Sequence, residues 1–190
     1  MKKNLKLINC IVAAALFLTL PMMVFAENSD TKTFSIGPRA SYYSPKDSDN
    51  GQWYGGAQAR LYLSPSMGLE GSMDYRSNDF DRFTTIKTIP IQASLLAYLM
   101  PDADLNPFLI AGAGWYYTQV NGPFGYSDTY FRFGLHAGLG VDIKVNQSLS
   151  LDGTYRYIWL ESVTSRDLNA LNKNYNDSGS MITIALNFLF

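Results

Sequence analysis

Apolar and polar residues alternate one for one over most of the chain after position 32. In "SLSLDGTYRYIWL", Leu149, Leu151, Tyr155, Tyr157 and Trp159 fall on one face, and Ser150, Asp152, Thr154 and Arg156 fall on the other. "MGLEGSMDYR" sets Leu69, Gly71, Met73 and Tyr75 against Glu70, Ser72, Asp74 and Arg76. "YFRFGLHAGLGVDI" does the same at greater length, with Phe131, Phe133, Leu135, Leu139, Val141 and Ile143 opposing Arg132, His136, Asp142 and glycines. A period of two is that of a β-strand whose faces meet different surroundings. The pattern predicts eight strands, over 33–43, 52–63, 67–76, 84–99, 107–118, 129–144, 148–160 and 180–190.

These segments reach the roughly 9–11 residues of a tilted membrane-crossing strand, where about 5–6 is usual in soluble sheets. The connections alternate in length. "SPS", "MPDADLN" and "NQ" are short, whereas "SPKDSDNG", "SNDFDR", "VNGPFGYSD" and "ESVTSRDLNALNKNYNDSG" are mostly longer and more polar. Short turns on one side and longer loops on the other suit an up-and-down transmembrane barrel, and an even strand number returns both ends to the short-turn side. Tyr42, Trp53, Tyr75, Trp115, Tyr117, Tyr130 and Trp159 all fall toward the long-loop ends, as expected of an aromatic girdle at a membrane–water interface.

The start of the chain reads differently. Lys2, Lys3 and Lys6 precede the apolar "LINCIVAAALFLTLPMMVFA", and Val24 and Ala26 put small residues before "ENSD". That is the pattern of a cleaved signal peptide, predicted over 1–26, followed by a short periplasmic segment, 27–32, and the barrel, 33–190. A spanning helix is the weaker reading, since Asn9 and Pro21 interrupt the run. Cys10, the only cysteine, leaves with the signal, so the mature chain has no thiol chemistry. The remaining 12 basic and 16 acidic residues give a formal charge of −4, which does not suit nucleic acid.

"NPFLIAGAGWYY", "AGLGVDIKVNQSLSLDGTYRY" and the final "SMITIALNFLF" together resemble the small eight-stranded outer-membrane β-barrels of Gram-negative bacteria, the porin-like, opacity-type and OmpX-sized proteins. The resemblance covers essentially the whole mature chain. It implies an all-β transmembrane up-and-down antiparallel barrel in the outer membrane, with lipid and lipopolysaccharide around it. It also implies that the last strand, with Ile184, Leu186, Phe188 and Phe190 on one face, carries the signal read by the barrel-assembly machinery. Physically, closure removes the sheet edge and lipid covers that apolar face.

The polar face then points inward and collects Arg39, Arg60, Glu70, Asp74, Arg76, Arg132, His136, Asp142, Asp152 and Arg156, with Gln58, Gln92 and Ser94. An eight-stranded barrel has an interior that side chains just fill, so a lumen charge network is expected. A hairpin centred on Pro65 sets Arg60 opposite Glu70, an ion pair that desolvation makes almost obligatory. The hairpin near residue 147 is open to two registers. Centred on Gln147 it sets Asp142 against Asp152, which demands a shared cation or proton; centred on Asn146 it sets Arg156 against His136.

No catalytic, cofactor or metal site is predicted. Some barrels of this size modify lipids, but the outer-membrane lipid A deacylases place a serine two residues after their histidine, and Gly138 stands there. Asp47 and Asp49 in "KDSDNG" share a spacing with calcium loops but lack the Gly and Glu positions of the full motif. The function expected is envelope structure or surface contact, with loop 161–179 as the longest contact surface and "RDLNALNKNY" in it able to form a helical turn. One alternative is a small pore or an OmpW-like channel for hydrophobic solutes, with Pro38 and Pro90 marking weakened pairing. The other is a soluble lipocalin-like binder, with its faces reversed. Mature protein extracted from membranes should change gel mobility on boiling; no shift, with the protein soluble in the periplasm, would favour the binder.

Overall fold

The computed structural model describes residues 33–46, 51–81, 84–121, 127–161, 163–164, 174–175 and 178–190. The expected signal peptide, the 27–32 segment, Asp47, Asp49 and the "RDLNALNK" part of the expected helical turn lie outside them, while Asn174 and Tyr175, the last two residues of that expected turn, are in strand instead. Ten strands follow in order: β1 (Phe34–Pro45), β2 (Gln52–Ser64), β3 (Met67–Asp81), β4 (Thr84–Tyr98), β5 (Leu105–Asn121), β6 (Ser127–Asn146), β7 (Leu149–Leu160), β8 (Val163–Thr164), β9 (Asn174–Tyr175) and β10 (Gly179–Leu189). Eight of them close into one antiparallel barrel in the order β1-β10-β7-β6-β5-β4-β3-β2, while β8 and β9 pair with each other. Closure is made at the chain end. Phe190 N–H donates to Phe34 O at 2.8 Å, Phe34 N–H donates to Phe190 O at 3.3 Å, and the two rings lie 6.4 Å apart.

Burial follows the alternation. Along β7, Ser150, Asp152, Thr154 and Arg156 are buried, and Leu151, Tyr155 and Trp159 are exposed. Leu69, Met73, Leu95, Leu109, Leu135, Leu139 and Ile184 likewise face outward. Charges inside and large apolar side chains outside is the arrangement of a barrel solvated by lipid, and it removes the soluble-binder alternative.

The predicted strands are all present, but several run further. β3 continues to Asp81 and β6 begins at Ser127, because the β3–β4 and β5–β6 ladders keep pairing beyond the alternating sequence, to Asp81↔Thr84 and Asn121↔Ser127. The polar "SNDFD" reads as a loop by pattern. A partner strand overrides that local preference.

The inward side of a small barrel is crowded because its wall curves sharply, and glycines fall there. A Cβ at Gly138 would lie 2.0 Å from Tyr155 O and 2.6 Å from Arg156 Cα; one at Gly112 would lie 2.9 Å from His136 Nε2. The outward Gly71 and Gly153 have nothing within 4 Å of the same position. Gly138→Ala should therefore cost about 1–3 kcal/mol through forced displacement of the wall, whereas Gly153→Ala should stay within about 0.5 kcal/mol of the parent, both read by urea unfolding in lipid vesicles.

Candidate functional site

The lumen is built on Glu70. Arg60, directly opposite on β2, donates from Nε to Glu70 Oε2 at 2.9 Å, and its Nη2 lies 2.8 Å from the same oxygen. Arg156 Nη2 donates to Glu70 Oε1 at 3.2 Å, and Arg39 Nη1 lies 3.7 Å from that atom. Three guanidiniums thus surround one carboxylate. Arg39 also grips Asp74, at 3.0 Å.

The ambiguous hairpin takes the register that sets Asp142 opposite Asp152, with an irregularity between Lys144 and Asn146 absorbing the turn. Arg156 faces Gly138 instead of His136. The shared cation that this register demands is Arg60, whose Nη1 lies 3.2 Å from Asp142 Oδ2 and whose Nη2 lies 3.0 Å from Asp152 Oδ2. Gln58 and Asn187 complete the shell, each donating to Asp152 Oδ2, at 2.8 and 2.6 Å. Four arginines, Arg39, Arg60, Arg76 and Arg156, are buried with four carboxylates, Glu70, Asp74, Asp142 and Asp152. Asn187 was not singled out from sequence. Its alternation with the apolar face of β10 marks it as inward, but only the ladder brings it to Asp152.

The inward face is not polar throughout. Toward the short turns, Leu96, Tyr98, Phe108 and Ile110 form an apolar layer with Tyr62. Toward the long loops, Tyr43, Tyr54, Tyr116, Ile158, Leu160 and Met181 form another. The charged layer lies between them. Arginines stitch the boundaries: Arg60 sits 5.2 Å from the Phe108 ring centre and Arg76 sits 5.2 Å from that of Tyr54, contacts that gain strength when desolvated. Arg132 is half-buried and lies opposite Tyr116 on β5.

His136 gains a partner that no local spacing announces. Ser94, two strands away, reaches across Gly112 and shares a hydrogen bond of 2.8 Å with His136 Nε2. A side chain on Gly112 would block this contact. Both residues are buried in the charged layer, so the pair lacks the open approach that a nucleophile and its base require.

The family model for the outer membrane protein beta-barrel domain matches residues 12–190. The chain belongs to that family. It is a protein of the outer membrane. Among solved structures, Neisserial surface protein A is 18% identical, with 86% of this chain and 100% of that one covered at a TM-score of 0.64. OprG of Pseudomonas aeruginosa is 15% identical, covering 84% and 96% at a TM-score of 0.62. Ail, the attachment invasion locus protein of Yersinia pestis, is 15% identical, covering 84% and 97% at 0.53. At these identities the likeness shows the fold. No curated protein sequence matches the chain.

On the outer wall of this outer-membrane barrel, Trp53, Tyr75, Trp115 and Trp159 are exposed at the long-loop end, and Tyr42 and Tyr117 are half-buried there. Tyr42 packs on Trp53 at 5.2 Å and Tyr117 on Phe131 at 5.1 Å. The backbone of Tyr130 pairs with Thr118; its side chain lies outside the described residues. On β10, Ile184 and Phe188 are exposed and Leu186 is half-buried, and Phe190, just past the strand, is exposed. Removing either member of the Arg60–Glu70 pair by alanine should cost about 3–5 kcal/mol, because it leaves the buried network with an uncompensated charge. The double variant should cost less than the two singles together, by roughly 0.5–3 kcal/mol, in urea titrations of the folded barrel; simple addition would dismiss the coupling.

Proposed function

We propose that this protein is a closed outer-membrane barrel, stoppered by its own ionic network, that serves the envelope through its wall and makes surface contacts through its outer loops. The observation that supports the reading is the packing of the bore: four buried arginines and four buried carboxylates lie between two apolar layers, and a pocket of about 20 Å³ among the described residues is bordered by Tyr43, Tyr54, Pro90, Tyr116, Ile158 and Met181. A space of that size suits about one water molecule. Charges fixed in pairs across the bore oppose ion passage, since moving an ion through them means displacing partners that have no water to replace them. Residues 1–26 act as a cleaved export signal, and Ile184, Leu186, Phe188 and Phe190 present the assembly signal. Lipid and lipopolysaccharide contact the wall, and loop 161–179 offers reach toward a surface ligand, a role that the attachment protein Ail illustrates for the fold.

A second reading is favoured by one detail. The β1–β10 ladder has no paired bridge at Gly37 and Pro38, between Ile36↔Phe188 and Arg39↔Ala185, and the β3–β4 ladder has none between Met73↔Ile91 and Arg76↔Thr88, beside Pro90. Pro90 also borders the small cavity. A hydrophobic solute entering through the wall there would make the protein a channel of the OmpW kind. Planar-bilayer recording separates the two readings for ions. The stoppered barrel should be silent at moderate voltage, and Arg60→Ala with Glu70→Ala should introduce conducting steps; discrete steps in the parent protein would overturn the stopper. Uptake of a small apolar dye into vesicles, lost in Pro90→Ala, would establish the second reading instead.

A further inference from the structure

The arginines of the bore are unequally shared. Among the described residues, Arg39, Arg60 and Arg156 hold the four buried carboxylates between them. Arg39 contacts Glu70 and Asp74, Arg60 contacts Glu70, Asp142 and Asp152, and Arg156 contacts Glu70. Arg76, the fourth buried arginine, touches none of those acids. Asp74, two residues before it on the same face of β3, turns to Arg39 instead, with contacts of 3.0 Å from both Nε and Nη2. Arg76 thus sits apart, one residue beyond the last β2–β3 bridge at Gly55↔Tyr75, where the bore opens toward the long loops.

Arg76 is only 8% exposed. Its Nη1 donates to the Tyr54 hydroxyl at 3.4 Å, its guanidinium lies 5.2 Å from the centre of that ring, and its buried Nε has no hydrogen-bond partner among the described residues. The ring offsets part of the cost of burying the cation, and an unmatched donor remains. Tyr54 accepts from Arg76 and keeps its own proton to give. The ladders carry this layer around the wall, from Arg76 to Thr88 on β4 and on to Thr118 on β5. Thr118 shares the inward face of Tyr116, and its Oγ1 is buried with no partner among the described residues. Arg132, opposite Tyr116, brings a second guanidinium near the same mouth; it holds contacts of its own, and the site does not require it free.

We propose that this donor-rich layer at the outer mouth of the bore binds a phosphate group, with Arg76 Nε, the Tyr54 hydroxyl and the Thr118 hydroxyl as its donors. The site goes beyond the stoppered-barrel reading, since the ionic network lies below the layer and is unchanged by it. Donors arriving from β2, β3 and β5 suit a tetrahedral anion, whose oxygens point several ways, better than a planar carboxylate. A guanidinium offers such an oxyanion a fixed fork of N–H groups, and the hydroxyls add donors without adding charge. Inorganic phosphate and a phosphate borne by lipopolysaccharide share this chemistry.

The test titrates inorganic phosphate into the mature barrel, held in a phosphate-free maltoside detergent, and follows the Arg76 Nε–H resonance by nitrogen-edited NMR. That resonance should move and saturate, while sodium chloride at matched ionic strength leaves it in place. Thr118→Val should weaken binding about tenfold, the loss of one hydrogen bond to a charged group. Arg76→Gln should abolish binding, read on the Thr118 amide, with the heat-shifted mobility of both variant barrels intact. Lipopolysaccharide added in place of free phosphate separates the sources. A saturable shift with lipopolysaccharide alone assigns a lipid-borne group, and one with inorganic phosphate assigns the free anion. A drift that never saturates, an equal response to chloride, or an unchanged affinity in Thr118→Val would each overturn the site. An Arg76 resonance indifferent to both phosphates would overturn it as well, leaving that donor to the chain's own groups.

Discussion

Glu70 is the constraint on which the interior depends. A carboxylate removed from water in the middle of a membrane protein is costly, and of the three guanidiniums around it two engage further acids in turn while Arg156 also bonds Gln92. Arg39 finds Asp74, and Arg60 finds Asp142 and Asp152. The network closes only when β1, β2, β3, β6 and β7 stand in their observed registers. A slip of one residue would turn each of these charges toward lipid. Electrostatics thus specifies register in a wall whose lipid face, being uniformly apolar, discriminates little between alternatives.

Curvature is the second constraint, and it works with the first. Bending a sheet into eight strands brings inward side chains close enough to interlock, but it leaves no room for a side chain on every inward position. Gly112 and Gly138 sit where a Cβ would strike the neighbouring strand. Their absence of side chain is what lets Ser94 reach His136 and lets Arg156 extend across the bore to Glu70 and Gln92. The long arginines and the bare glycines are two halves of one packing solution, and the outward glycines, with empty space around them, have no such role.

Much of this was legible in the sequence because period-two alternation reports directly on which side of a wall a residue lies. The strand count, the inward set from Arg39 to Arg156 and the Arg60–Glu70 register all follow from alternation plus one tight turn at Pro65. What alternation does not carry is distance across the bore. Nothing in the spacing of Arg60 from Asp142 and Asp152, or of Ser94 from His136, says that they meet; closure of the barrel brings them together. The apolar layers above and below the charges escaped for a related reason. Tyr54, Tyr98 and Phe108 sit on the inward side of their strands, where alternation assigns the face but not the depth.

Strand length was the least legible feature, and it separates the two ends of the molecule. Inside the membrane an unpaired backbone group has no water to turn to, so every strand there must be paired on both sides. Above the girdle that requirement lapses. β3 to β6 project there while β2 and β7 stop, and the projecting sheet is stabilised by cross-strand pairs rather than by lipid. The lumen, committed to neutralising its own charges, has little freedom left to evolve a new task without losing the register it enforces. The rim is under no such obligation. Selection for different surface contacts can act on its loops and edges while the charged layer below keeps the barrel folded.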